Sequence, residues 1–133
     1  MNKKITEING IKFYTGLVSG IKNLLDYKNK LDEINVFPVP DGDTGTNMCF
    51  TLLPVAEECK DLVTSNISET MDIIADKALE SARGNSGTII AQFLHGMRKA
   101  TRGKSSMNIS DVSAALLQGF ISSKESLLNP EEG

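Results

Sequence analysis

The chain has 133 residues, of which 40% are hydrophobic and 23% charged, with a formal net charge of −3; this is the composition of one globular domain, here taken as residues 1–133. An acidic balance argues against a general nucleic-acid binder. No stretch reaches membrane-spanning length, and the opening MNKKITEING has lysines with no apolar run behind them, so a soluble cytoplasmic protein without a membrane span is the expectation.

The apolar period is helical. Tyr14, Leu17, Val18, Ile21, Leu24 and Leu25 recur at spacings of three and four, which predicts an amphipathic helix from Gly10 to Lys28. A second helix is predicted from around Thr46 through TNMCFTLLPVAEECKDLV, bent or restarted near Pro54. Ser68 is the expected cap of a third, on which Met71, Ile74, Ala75, Ala78, Leu79 and Ala82 share a face. Ile90, Phe93, Leu94 and Met97 form the stripe of a fourth helix after ARGNSG. Ser110 is the expected cap of a fifth carrying Val112, Ala115, Leu116, Gly119, Phe120 and Leu127. No segment alternates with period two, so the predicted fold is all-α, with antiparallel neighbours wherever connections are short. Cys49 and Cys59 have no histidine nearby and read as buried free thiols. The basic cluster RKATRGK, Arg98 to Lys104, reads as a solvated helix C-terminus.

Two stretches break the helical plan, and both combine glycines with oxygen-bearing side chains. In PVPDGDTGTNM, Pro38 and Pro40 disfavour helix before them, so Asp41 is presented from an extended segment. Asp41 and Asp43, separated only by Gly42, can converge on a hard cation, and Mg2+ commonly takes one or two protein carboxylates together with phosphate. The helix that follows turns the backbone N–H groups of Gly45, Thr46 and Asn47 toward the same space, where anions are favoured. An EF-hand loop starting at Asp41 would put Thr46 and Leu52 where glycine and glutamate are needed, and no Gly-Lys-Ser or Gly-Lys-Thr ending supports a Walker loop. A capped Asp-Gly turn is the structural alternative.

The second interruption is RGNSG, Arg83 to Gly87. It has the grammar of a helix–helix turn, with Gly84 ending one helix and Ser86 or Gly87 opening the next. Asn85 and Ser86 nevertheless supply small polar groups, and Arg83 a cation able to face a phosphoryl group. Folded beside the first loop, this turn would complete a phosphate cradle. The order Ser86-Gly87 does not match a nucleophile elbow, and His95, the single histidine, sits among Phe93, Leu94 and Met97 as a helix-packing residue.

Together, INVFPVPDGDTGTNM and ARGNSGTIIAQFLHGM resemble the N-terminal kinase domain of the bacterial fatty acid kinase A subunit, which is similar to the nucleotide-binding L subunit of dihydroxyacetone kinase. The resemblance runs from about Ile8 to the last residue. It implies a barrel of antiparallel amphipathic helices, with ATP or ADP held at one end through two Mg2+ ions. Carried onto this sequence, it makes Asp41 and Asp43 metal ligands, Thr44, Gly45, Thr46 and Asn47 a phosphate-binding loop, and Gly84, Asn85, Ser86 and Gly87 a second phosphate contact, with Arg83 beside them. Dihydroxyacetone kinases carry another aspartate where this chain has Val36; Asn35, one residue earlier, is the expected third metal ligand. Thr44 stands where those kinases have histidine, which favours the fatty acid kinase branch.

The implied reaction is phosphoryl transfer from ATP to a fatty-acid carboxylate presented by a separate binding protein. Such transfer asks for positioning and charge neutralisation, and a carboxylate acceptor, ionised at pH 7, needs no general base. A dihydroxyacetone-type subunit acting on a small hydroxy-carbonyl substrate, and a non-catalytic nucleotide and metal binding module, are the alternatives. In the resembling family, LLNPEEG leads into helices that cover the adenine, so a fragment inactive by itself is expected. Its uncovered apolar faces predict a homo-oligomer or a replacement partner surface.

Overall fold

The computed structural model describes residues 4–36 and 40–128. Pro38, expected to stiffen the approach to Asp41, lies outside the described residues; Pro40 is in irregular, exposed chain. Six helices form among the described residues, and the all-α expectation holds.

Helix α1, Gly10–Asp26, is capped by Asn9, whose side chain accepts from the Lys12 amide at 2.9 Å. It ends short of the expected Lys28, where Tyr27 donates back to the Leu24 carbonyl, and a separate short helix α2, Lys28–Glu33, follows. Sequence reading missed α2 because KNKLDE buries no residue and so has no apolar stripe. Helix α3, Thr44–Glu58, begins two residues before Thr46 and is a single element containing Pro54. Proline there removes a bond to the carbonyl of Phe50, a residue that is exposed to solvent.

Helix α4 spans Ile67–Ser81. Its cap is Asn66 rather than the expected Ser68: the Asn66 side chain accepts from the Glu69 amide at 2.9 Å, and the Ser68 hydroxyl instead accepts from the Gly103 amide. Helix α5, Gly84–Thr101, starts inside RGNSG. Helix α6, Ile109–Leu128, also starts earlier than expected, because Asn108 and Asp111 exchange side-chain-to-backbone bonds in a capping box and leave Ser110 within the first turn.

The absence of strands needs one correction. Ile8–Asn9 (β1) pairs antiparallel with Ser106–Met107 (β2), in the register Ile8 to Met107, tying the start of α1 to the α5–α6 connection. Two residues per strand are too few to leave an alternating pattern in sequence.

Helix α4 is central, touching α1, α3 and α5. Its Ile67, Met71, Ile74, Ala75 and Ala78 are buried with Val55 of α3, Ala91, Leu94 and Met97 of α5, and Ala115 of α6. Short connections give antiparallel neighbours, as expected. The Gly103 amide at the end of α5 reaches Ser68 at the start of α4, and the Ser123 hydroxyl of α6 donates to the Ile89 carbonyl of α5. The fifth predicted stripe divides: Val112, Ala115 and Gly119 face the protein, while Leu116, Phe120 and Leu127 are exposed. Both cysteines are free and buried, and burial pushes their thiols up.

Candidate functional site

Helix α2 underlies the Asp41–Asp43 loop. Lys28 pairs with Asp32 at 3.5 Å, one turn apart, and the Asp32 carboxylate reaches across to the start of α3. One oxygen accepts from the Thr46 amide at 2.9 Å and the other from the Thr46 hydroxyl at 2.7 Å. These bonds, with Lys28 alongside, hold the Asp32 carboxyl below the usual carboxylate range. Asn35 reaches the same loop, its side-chain oxygen accepting from the Asp43 amide at 3.1 Å. Gly45 is buried where a Cβ would lie 2.3 Å from the Lys28 carbonyl oxygen, so the contact between α2 and α3 requires glycine.

This arrangement corrects the expectation for the amides of α3. Of Gly45, Thr46 and Asn47, the Thr46 amide is taken by Asp32 and the Asn47 amide by the Asp43 carbonyl. Asn47 is itself buried. Asp41 is exposed and Asp43 half-buried, on either side of Gly42, whose φ is +63°.

RGNSG folds directly against this start of α3. The Ser86 hydroxyl donates to the Thr44 carbonyl at 3.2 Å, and the Arg83 amide donates to the Thr51 hydroxyl at 3.1 Å. Thr51, fully buried, donates its own hydroxyl hydrogen bond to the Asn47 carbonyl at 2.8 Å and so fastens the two stretches together. Gly84 has φ +69°, and a Cβ on it would lie 2.3 Å from the Asn47 side-chain nitrogen. Gly87 is buried against Thr51, Asn85 is exposed, and the Arg83 guanidinium stacks 4.4 Å from the centroid of the Phe50 ring. Neither Arg83 nor Asp43, the N-cap residues of α5 and α3, makes a side-chain capping bond. The two helix N-termini lie side by side next to two carboxylates, with the start of α3 already capped from α2 by Asp32.

His95 is not part of this cluster. Eleven residues along α5 from Gly84, it stands about 16 Å away at the helical rise. Its Nδ1 accepts from Arg98 at 2.7 Å, which places the ring proton on Nε2. Burial, then the cations Arg98, Lys99 and Arg102, lowers its pKa and keeps it neutral at pH 7. Arg98 also pairs with Asp76 of α4, and its side chain is only 12% exposed, so this member of the basic cluster is a packed helix-to-helix tie rather than a solvated cation. Lys104 pairs with Asp111 at 3.1 Å.

A family model described as the DAK2 domain matches residues 38–133. The chain belongs to the DAK2 domain family. That places it in the dihydroxyacetone kinase-like, kinase-related group. It is 34% identical over 129 residues to an uncharacterized protein of Staphylococcus epidermidis, covering 97% of this chain and 23% of that protein. Uncharacterized proteins of Staphylococcus aureus strains USA300 and N315 are each 35% identical over 129 residues, covering 97% of this chain and 24% of theirs. The chain thus spans about a quarter of the length of the curated relatives it matches.

Among the described residues no group of three or more His, Cys, Asp or Glu side chains forms a metal cluster, and no helix is long and apolar enough to cross a membrane. Asp41 and Asp43, flanking one glycine beside two helix N-termini, suit a cation whose remaining ligands are phosphate and water, which is the habit of Mg2+. Sequence reading missed Asp32 and Thr51. The Lys28–Asp32 spacing of four was the available signal for the first; Thr51 offered none, since its two partners come from different segments.

Proposed function

We propose that the chain carries the nucleotide site of an ATP- and Mg2+-dependent kinase that phosphorylates the carboxylate of a fatty acid presented by a partner binding protein. The observation that supports this most is the seating of RGNSG on the start of α3, through Ser86 to Thr44 and Arg83 to Thr51, beside Asp41 and Asp43. Bound there, Mg2+ would neutralise phosphate oxygens. Asp41 and Asp43 would hold it, with the Asn35 oxygen as a third donor in addition to its bond from the Asp43 amide. The uncapped first turn of α5, at Gly84, Asn85 and Ser86, would take phosphate oxygens, with Thr44 and Gly45 opposite. Thr46 and Asn47 would shape this loop, their amides being engaged within the protein. Arg83 would add positive charge at the rim.

In the transfer, a carboxylate oxygen of the fatty acid bonds to the γ-phosphorus as the bond from that phosphorus to the bridging oxygen of ADP breaks, giving an acyl phosphate. The acceptor arrives ionised, so no proton must be removed, and the remoteness of His95 is consistent with that. Family membership alone also suits a hydroxyl acceptor such as dihydroxyacetone, which would need a base; Thr44, in place of histidine, argues for the carboxylate.

The test is to supply ATP and Mg2+ to the full-length protein with either a fatty-acid-loaded binding protein or dihydroxyacetone. Acyl phosphate is the expected product, and phosphate on dihydroxyacetone alone would overturn the acceptor assignment. Asp41→Asn with Asp43→Asn is expected to abolish Mg2+-dependent nucleotide binding, measured by calorimetry, and to leave the helical circular dichroism signal intact. Unchanged binding would remove the site; binding without transfer to either acceptor would leave a nucleotide-binding module.

A further inference from the structure

We infer that Asp32 caps α3 in place of Asp43, the residue that would ordinarily do so, and that this transfer of the capping duty leaves the Asp43 carboxylate available to a divalent cation. The inference rests on the metal site proposed above and assigns Asp32 as its positioning residue.

An N-cap aspartate usually accepts from the amide two or three positions into its own helix, and does so from an extended backbone. Three helices of this protein carry such a side-chain cap, the one before α6 being Asn108 on the Asp111 amide. Asn9 (φ −89°, ψ 178°) accepts from Lys12, and Asn66 (φ −77°, ψ 121°) accepts from Glu69. Asp43 occupies the same position before α3 but has φ −129° and ψ 6°, and its side chain makes no capping bond. The amide it would satisfy, three residues on, is that of Thr46, and there the carboxylate of Asp32 is found at 2.9 Å. Its second oxygen takes the Thr46 hydroxyl at 2.7 Å, so the external cap is two-pronged.

Three further contacts hold this exchange in place. Asn35 fixes the Asp43 backbone by accepting from its amide, Lys28 pairs with Asp32, and the close approach of Gly45 to the Lys28 carbonyl sets the distance between α2 and α3. Negative charge at the helix start is thereby supplied from α2, in the position where it favours the helix. A carboxylate cannot both cap Thr46 and turn outward to a cation with full strength; with Asp32 at the cap, Asp43 is released from that competition. Removing Asp32 makes Asp43 the nearest replacement cap, through the freedom of Gly42 beside it.

The experiment uses the full-length protein as parent, with Asp32→Ala, Asp32→Asn, Asp43→Ala and the Asp32→Ala/Asp43→Ala pair made in it, reading Thr46 amide exchange without metal and Mn2+ affinity in the presence of ATP. Asp43→Ala is expected to leave Thr46 exchange unchanged. Thr46 should exchange about fivefold faster in the pair than in Asp32→Ala, the effect of losing one cap. Mn2+ affinity in Asp32→Ala should fall about 10–100-fold, the usual cost of losing a group that orients a ligand. Asp32→Asn, which keeps an acceptor oxygen, should recover most of it. Equal Thr46 exchange in Asp32→Ala and the pair would overturn the exchange of caps, and parental Mn2+ affinity in Asp32→Ala would overturn the positioning role. A parent chain that binds no Mn2+ with ATP would overturn the proposed function and the metal half of this inference together, whereas the exchange comparison judges the cap independently.

Discussion

At the scale of single residues, the contact between the two loops depends on atoms that are not there. Gly84 combines a left-handed backbone with a position that places any Cβ against Asn47, and these two constraints act in the same direction. Gly84→Ala is expected to cost about 2–3 kcal/mol, combining the left-handed penalty with overpacking. A urea unfolding midpoint measures it, and a loss below about 0.5 kcal/mol would mean that Asn47 moves aside freely. RGNSG was visible in sequence as a helix breaker, and Asp41 and Asp43 as a carboxylate pair. What a linear reading could not supply was the partner of each glycine: Asn47 lies 37 positions from Gly84 in the chain, and no local spacing connects them.

At the scale of elements, long helices were legible and their ends were not. The stripe of α1 and the small-residue face of α4 follow from a period of 3.6, which local geometry imposes. Caps depend on which of several adjacent polar side chains reaches the amide, and Asn66 and Asn108 prevailed over Ser68 and Ser110 through the partners Glu69 and Asp111. The far end of α3 is closed by another helix. The Tyr14 hydroxyl of α1 donates to the Ala56 carbonyl at 2.6 Å, with the Val55 carbonyl at 3.3 Å, in the last turn where helical carbonyls lack partners of their own. Tyr14→Phe should therefore destabilise the fold by about 1 kcal/mol while keeping the buried ring. Thermal unfolding checks this, and an unchanged midpoint would show that water serves those carbonyls equally well.

At the scale of the whole molecule, α6 is apolar on two sides. Ala115, Gly119 and Ser123 lie buried, with Ser123 bonded to α5, while Leu116, Leu117, Phe120 and Leu127 are each about half exposed or more. A face of that kind, on a chain spanning about a quarter of its relatives' length, is expected to drive self-association of these 133 residues. Light scattering at rising concentration should show it, and Leu117→Ser with Phe120→Ser should reduce both the association and the binding of an apolar dye. A clean monomer that binds no dye would refute the expectation.

The sequence by itself determined the all-α class, the helical stripes and the two glycine-broken loops with their acidic and polar residues. Each is a local property, set by backbone sterics and a short repeat. Tertiary structure decided which groups in those loops are already engaged: Asp32 at the Thr46 amide, Thr51 between Asn47 and Arg83, and Ser86 on Thr44. Apart from the bond of Thr51 to Asn47 one turn back in α3, those pairings join different segments, and they form only because α2, α3 and α5 pack against one another closely enough for their polar ends to satisfy each other.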